Sequence, residues 1–277
     1  MDYTAPIILV GAGRSGTTLL DSALGEHSQI YSIGETSFLF HRLWQTLMEK
    51  ENYHFQYRHT KLARERHAEG RDMTWVAFSR KFVRGNYANL GTMFDDIVAE
   101  ESRRLPLELG EAFARLMIPP ALRKERWLFR EIWMGSQQFP YTWDIYRRAF
   151  PNAHYVQLIR HPIEFLRSYF NNMKLQASPE QASAALDEWL TMVRYARTLR
   201  DTGRFIEVRY EDLVADNGKT MDRILAFAGL QPEKRCHEML GFSFLPSSGN
   251  NNFEDDATEL YRRNPEIADE LMRLGYT

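Results

Sequence analysis

Eight residues near the start of the sequence bring together groups that bind anions: Gly11-Ala12-Gly13-Arg14-Ser15-Gly16-Thr17-Thr18. They follow the apolar run Ile7–Val10 and lead directly into a helical pattern, so the order is strand, glycine-bearing turn, helix start. Glycines let the backbone turn sharply and bring its N–H groups toward an anion. The helix start adds unpaired N–H donors and the positive end of the helix dipole. Arg14, Ser15, Thr17 and Thr18 add side-chain donors, and the whole set suits a phosphate or a sulfate. Gly11 and Gly16 have the spacing of the G-x-x-x-x-G-K-[ST] loop of ATP and GTP enzymes, but Thr17 stands where the lysine belongs. A kinase or GTPase needs that lysine on its terminal phosphates, with Mg²⁺ beside it. Here the cation has moved to Arg14.

A second cluster closes the apolar run Tyr155–Ile159 with Arg160-His161-Pro162, and Ser168 follows Arg160 by eight residues. An arginine at the carboxyl end of a strand lies where open α/β sheets bind ligands. Two turns into the next helix, the Ser168 hydroxyl can face the same crevice. A planar guanidinium with a hydroxyl beside it grips a phosphate well. Arg160 on a surface carboxylate and Ser168 as an ordinary helix residue is the plainer alternative.

Taken together, the two motifs resemble the sulfotransferases that use 3'-phosphoadenosine-5'-phosphosulfate (PAPS), especially the branch with tyrosylprotein and related bacterial enzymes. The resemblance runs from Ile7 to about Tyr276, and no motif carries it between about His41 and Lys124. It implies that Arg14, Ser15, Gly16, Thr17 and Thr18 hold the 5'-phosphosulfate end of PAPS. Arg160 and Ser168 would hold the 3'-phosphate. Most relatives have Asp or Asn before the proline where this chain has His161. The segment Arg209-Tyr210-Glu211-Asp212-Leu213 resembles the one whose tyrosine contacts the adenine, which makes Tyr210 an adenine contact. The implied reaction moves a sulfuryl group to an acceptor hydroxyl and releases adenosine 3',5'-bisphosphate.

That reaction needs a base for the hydroxyl proton, neutralisation of the leaving phosphate, and exclusion of water. Tyrosylprotein-type relatives use a glutamate soon after the phosphate loop, and Glu35, in Gly34-Glu35-Thr36, matches it at twenty-one residues after Arg14. Burial near the acceptor raises such a carboxyl, and the cationic loop lowers it. Glu35 paired structurally with an arginine is the alternative. Arg14 and the helix start would stabilise the leaving group. Relatives add a lysine from the middle strand, and in Trp127–Trp133 the comparable cation is Arg130. It brings charge but cannot serve as a general acid. An Arg130–Glu131 structural network is the other reading of that residue. No metal is implied, because the eight histidines form no ligand pair of the H-E-x-x-H type.

These residues need elements to carry them. Five strands are expected: Ile7–Val10, Gln29–Ile33, Trp127–Trp133, His154–Ile159 and Arg204–Val208. Ile7–Val10 and His154–Ile159 are short and apolar, as in a buried parallel sheet. Helical patterns lie between the strands: Leu19–Leu24, Ile163–Met173, Gln181–Leu199, Lys219–Phe227, and a last helix with Asn264 as N-cap and Pro265 first. The fold class expected is α/β, a P-loop-like central parallel sheet flanked by helices. The stretch from about 41 to 124 shows no strand and reads as a helical insertion, either an acceptor lid or a side layer. The loop Ser247–Asn252 is a candidate to close over the 3'-phosphate or a plain surface loop. Residues 1–277 read as one domain, since no repeat or linker divides them.

Bulk properties narrow the partners. The 277 residues are 44 % hydrophobic and 26 % charged, with a formal charge of -2. This balance gives no general attraction to nucleic acid or acidic membrane. The single cysteine, Cys236, can neither close an internal disulfide nor build a cysteine-based zinc site. No signal-type start and no apolar stretch of about 20 residues is present, so a cytoplasmic protein without an anchor is expected. The acceptor is left open between a small-molecule hydroxyl and a peptide tyrosine, and oligomeric state is not legible. A metal-dependent small-molecule kinase and a non-catalytic nucleotide-binding module are the competing readings.

Overall fold

The computed structural model describes residues 1–36, 40, 106–133, 139–173, 177–242, 253 and 257–276. Its centre is a five-stranded parallel sheet: β1 (Ile7–Ala12), β2 (Ile30–Glu35), β3 (Arg126–Trp133), β4 (His154–Ile159) and β5 (Phe205–Arg209), in the order β2-β3-β1-β4-β5. All five expected strands are present. Ile7, Ile8, Leu9 and Val10 are fully buried because β1 is the middle strand and both its faces are covered.

The two faces sort by the two-residue period of a strand. Ile8, Val10, Trp127 and Phe129 point to one side, into an aromatic cluster with Phe113, Tyr146 and Phe150. Phe40 packs in the same cluster, edge-on to Phe113 and Tyr146. Ile7, Leu9 and Leu128 point to the other, against Leu20 and Leu24 of helix α1 (Thr17–Gly25) and Met221, Ile224 and Leu225 of a later helix. This alternation continues along β3 and decides where its charged pair goes. Arg130 falls on the α1 face, and Glu131 falls on the aromatic face.

Further helices follow in chain order: α2 at 106–117, α3 (Phe139–Ala149), α4 (Pro162–Met173), α5 (Pro179–Ala196), α6 (Tyr210–Ala215), α7 (Asn217–Phe227), α8 (Lys234–Phe242), α9 (Ala257–Arg263) and α10 (Pro265–Leu274). Helix α5 begins with a full capping box, Ser178 with Gln181, and Pro179 at its first turn. The expected helix over 181–199 therefore starts two residues earlier, and it tightens into a 3₁₀ segment (Arg197–Thr202) at its end. At α10, Asn264 is the N-cap residue but its side chain does not cap. It bonds Ser183 Oγ and the Leu260 carbonyl instead, tying α9, α10 and α5 together. The expected insertion at about 41–124 lies outside the described residues up to 105. Its described end holds α2 and a 3₁₀ turn, Pro120–Leu122. The loop Ser247–Asn252 also lies outside the described residues.

The chain leaves β1 toward β2 and β3 on one side, then crosses to β4 and β5 on the other. The turn after β1 therefore sits where open α/β sheets leave a crevice at their carboxyl ends.

Candidate active site

The loop after β1 has the geometry of an anion cradle. Ser15 N–H donates to the Ala12 carbonyl at 3.2 Å, Arg14 takes a left-handed φ of 69° and Gly16 one of 92°. A left-handed non-glycine residue costs about 1–2 kcal/mol, and such strain gathers at functional sites. Gly16 is the N-cap of α1 and no side chain caps the helix, so its first-turn N–H groups face outward without a side-chain acceptor. A β-carbon on Gly16 would lie 2.4 Å from Tyr210 Cδ2, so only glycine lets that ring pack on the loop. Ser15 and Thr17 are buried, whereas Arg14 and Thr18 are exposed.

The second motif closes on the first. Arg14 Nε donates to Ser168 Oγ at 3.3 Å, and Arg160 Nη1 donates to the Arg14 carbonyl at 3.2 Å. Residues more than 140 positions apart thus share one wall. The Arg160 guanidinium stacks on the Tyr210 ring, 4.6 Å from its centroid, and meets Glu164 at 3.4 Å. Its buried Nε has no hydrogen-bond partner among the described residues. Behind it, the Arg160 carbonyl accepts from Trp189 Nε1 at 3.1 Å.

On the other side of β1 stands Arg130. It donates to Thr18 Oγ1, reaches Asp21 Oδ2 at 3.5 Å and meets Glu35 Oε2 at 3.4 Å. Parallel pairing puts Glu35 opposite Arg130, just past a register shift in β2. Asp21, one turn into α1, also accepts from Ser32 Oγ at 2.5 Å. Burial pushes its carboxyl up, against the pull of Ser32 and Arg130. Glu131, on the opposite face, accepts from Tyr146 O–H at 2.6 Å and from Thr36 Oγ1. Arg130 and Glu131 thus point to opposite faces of β3, Arg130 pairing with Thr18, Asp21 and Glu35 and Glu131 with Tyr146 and Thr36.

The sequence matches the model of the sulfotransferase family over residues 6–234. The chain belongs to the sulfotransferase family. No curated protein matches it at a significant level. Two solved structures share the fold of this family member at low identity. A sulfotransferase from Alicyclobacillus acidocaldarius is 15 % identical with a TM-score of 0.52, over 99 % of this chain and 96 % of that one. A sulfotransferase from Mycobacterium avium is 16 % identical with a TM-score of 0.52, over 98 % of this chain and 77 % of that one.

Within this sulfotransferase-family chain, direct contacts join Arg14, Ser168, Arg160 and Tyr210, with Gly16 against the Tyr210 ring, while Ser15 and Thr17 are buried in the loop beside them and Thr18 bonds Arg130. Arg130 also meets Glu35. Three neighbours were missed from the sequence. Asp21 sits one turn beyond Thr17 and Thr18, so helical spacing alone could have put it beside the loop. Glu164 is one turn after Arg160 and was legible in the same way. Glu211 lies in the Arg209–Leu213 segment, but nothing local showed that it would accept the His161 backbone N–H, as it does at 2.8 Å. His161 itself is held below the ordinary histidine range by burial, against the opposing pull of Glu211 and Glu164.

Proposed function

We propose that this crevice binds PAPS and that the protein transfers its sulfuryl group to an acceptor hydroxyl. The observation that supports this most is the direct contact between the two phosphate motifs, Arg14 with Ser168 and Arg160 with the Arg14 carbonyl. One cationic wall then serves a ligand carrying two separate anionic ends. PAPS fits such a wall, and it supplies a sulfuryl group on a phosphate leaving group.

The residues divide the work. Arg14, the side chains of Ser15, Thr17 and Thr18, and the open N–H groups of α1 hold the phosphosulfate end. The close approach at Gly16 keeps the Tyr210 ring against the loop, where its phenol lines the path of the adenosine. Arg160 and Ser168 take the 3'-phosphate. Glu35 accepts the acceptor's hydroxyl proton as the new O–S bond forms. The S–O bond to the 5'-phosphate breaks, and its electron pair stays on the phosphate oxygen. Arg14, Arg130 and the helix N–H groups neutralise that charge. Arg130 also bridges Thr18 and Glu35, so base and loop keep their spacing.

The acceptor is a hydroxyl on a small molecule or a peptide, and the reaction proceeds without metal. The test is transfer from PAPS across a panel of phenols, alcohols, sugars and tyrosine peptides, with and without EDTA, and with ATP as the control donor. Transfer from PAPS that survives EDTA, without ATP turnover, supports this reading. ATP turnover that EDTA abolishes would establish a kinase. Tight binding of adenosine 3',5'-bisphosphate with no transfer to any acceptor would point to a non-catalytic module.

A further inference from the structure

The family model ends at residue 234, yet residues beyond it pack against the phosphate grip. Helix α10 is anchored by Ile267 and Leu271 in the cluster that also holds Trp189 and Leu166. Its buried Glu270 pairs with Arg197 and Arg273. The helix stops at Gly275, which takes a left-handed φ of 72°, and Tyr276 N–H reaches back to the Leu271 carbonyl at 2.9 Å. This six-to-one bond is the Schellman ending, and it fixes the direction of the chain just past the helix. Arg209 holds the same turn, donating to the Gly275 carbonyl at 2.7 Å with its guanidinium 5.3 Å from the Tyr276 ring centroid.

So placed, Tyr276 donates its phenol hydrogen to Glu211 Oε2 at 2.6 Å, while Glu211 Oε1 accepts the His161 backbone N–H at 2.8 Å. The edge of the His161 ring completes the contact on Tyr276, at 5.1 Å between centroids. The His161 N–H and the Arg160 carbonyl belong to one peptide plane. Trp189 holds that plane at its oxygen and Glu211 holds it at its nitrogen. A peptide plane gripped at both ends cannot rotate freely, and its orientation sets where the Arg160 side chain begins. Burial and the neighbouring Glu211 carboxylate raise the Tyr276 phenol well above the ordinary tyrosine range, so it remains a donor throughout the working pH range.

We infer that Tyr276 and Glu211 are positioning residues for the Arg160 grip, acting through the Arg160–His161 peptide. This rests on the PAPS reading above. It assigns to the part of the chain beyond the family match a share in recognising the 3'-phosphate.

The test compares the affinities of adenosine 3',5'-bisphosphate and AMP, measured by calorimetry on the full chain. The wild type, Y276F, E211A and E211Q are each titrated, with a melting curve for each. Y276F should weaken the bisphosphate roughly 3- to 10-fold, since the lost bond acts on the ligand only through the Arg160–His161 peptide and is felt at the scale of one ordinary hydrogen bond, and leave AMP within about two-fold. E211A should weaken the bisphosphate more than Y276F. E211Q keeps an acceptor for the His161 N–H and should recover part of the loss. A purely structural role would weaken both ligands together, leaving their ratio unchanged, and that result in Y276F and E211A overturns the inference. A wild type with no preference for the bisphosphate overturns the PAPS reading itself, a failure that the ratio separates from the first.

Discussion

Two arginines flank strand β1 at the mouth of the crevice, Arg160 beyond β4 and Arg130 on β3. Their side chains are withdrawn from water to the same degree, 12 % and 13 % exposed. Their company differs. Arg160 meets one carboxylate, Glu164, which Arg167 also engages, and otherwise touches a carbonyl and the face of Tyr210. Arg130 meets two carboxylates, Asp21 and Glu35, and a hydroxyl. With Arg14 beside Arg160, one flank carries excess positive charge, which suits the anion of the proposed function. The other flank is balanced by its own acids, and it is there that the proposed function puts the proton acceptor. Burial alone does not set the role of a charged group; the partners that share the burial do.

Four substitutions would break or sharpen this contrast. The largest effect is expected from E35Q, which removes the proposed proton acceptor of the acid flank. Turnover should fall roughly 10²- to 10⁴-fold with adenosine 3',5'-bisphosphate affinity preserved. Steady-state rates and calorimetry check both halves, and a rate within a few-fold of wild type would remove Glu35 from the role of base. R160A comes next and strikes the cationic flank. It should weaken the bisphosphate roughly 10- to 100-fold, the worth of charge-assisted bonds to a phosphate, and leave AMP little changed.

D21N tests the balance around Arg130. Loosening one arm of that arginine is worth about 1 kcal/mol, roughly five-fold in kcat. It also has a pH signature. Because burial raises the folded-state carboxyl above its ordinary 3.8, Asp21 contributes most stability below that value and loses it as pH rises through the raised one. D21N should remove that loss, and denaturant unfolding over this pH range would show a flatter profile.

The smallest effect belongs to H161N. His161 is neutral in the fold because burial lowers it, so it adds no charge to the Arg160 flank near neutral pH. Bisphosphate affinity should change less than about two-fold, since Asn keeps the backbone N–H that Glu211 holds. The sign for stability is opposite to that of Asp21. The neutral histidine's contribution is complete above pH 6.5 and is lost as pH falls through the lowered value. H161N should therefore resist acid better than the wild type in the same unfolding assay.

Local pattern carried much of this molecule. Ile7–Val10 is apolar on both faces because it sits in the middle of a parallel sheet, and that shows as an unbroken run, while Tyr155–Ile159 is interrupted only by the buried Gln157. The glycines and hydroxyls between Gly11 and Thr18 announce an anion loop because its donors are neighbours in sequence. Arg160 and Ser168 are legible for the same reason, the arginine just past the end of β4 and the serine about two turns into the helix that follows. What spacing could not decide is which strands lie side by side. Only the order β2-β3-β1-β4-β5 brings Glu35 to Arg130, and only the parity of β3 turns Arg130 toward Thr18 and Glu131 away from it. Tyr276 on Glu211 depends on the packing of a distant helix. Such contacts join segments far apart along the chain, where nothing in the local sequence of one segment encodes the identity of the other.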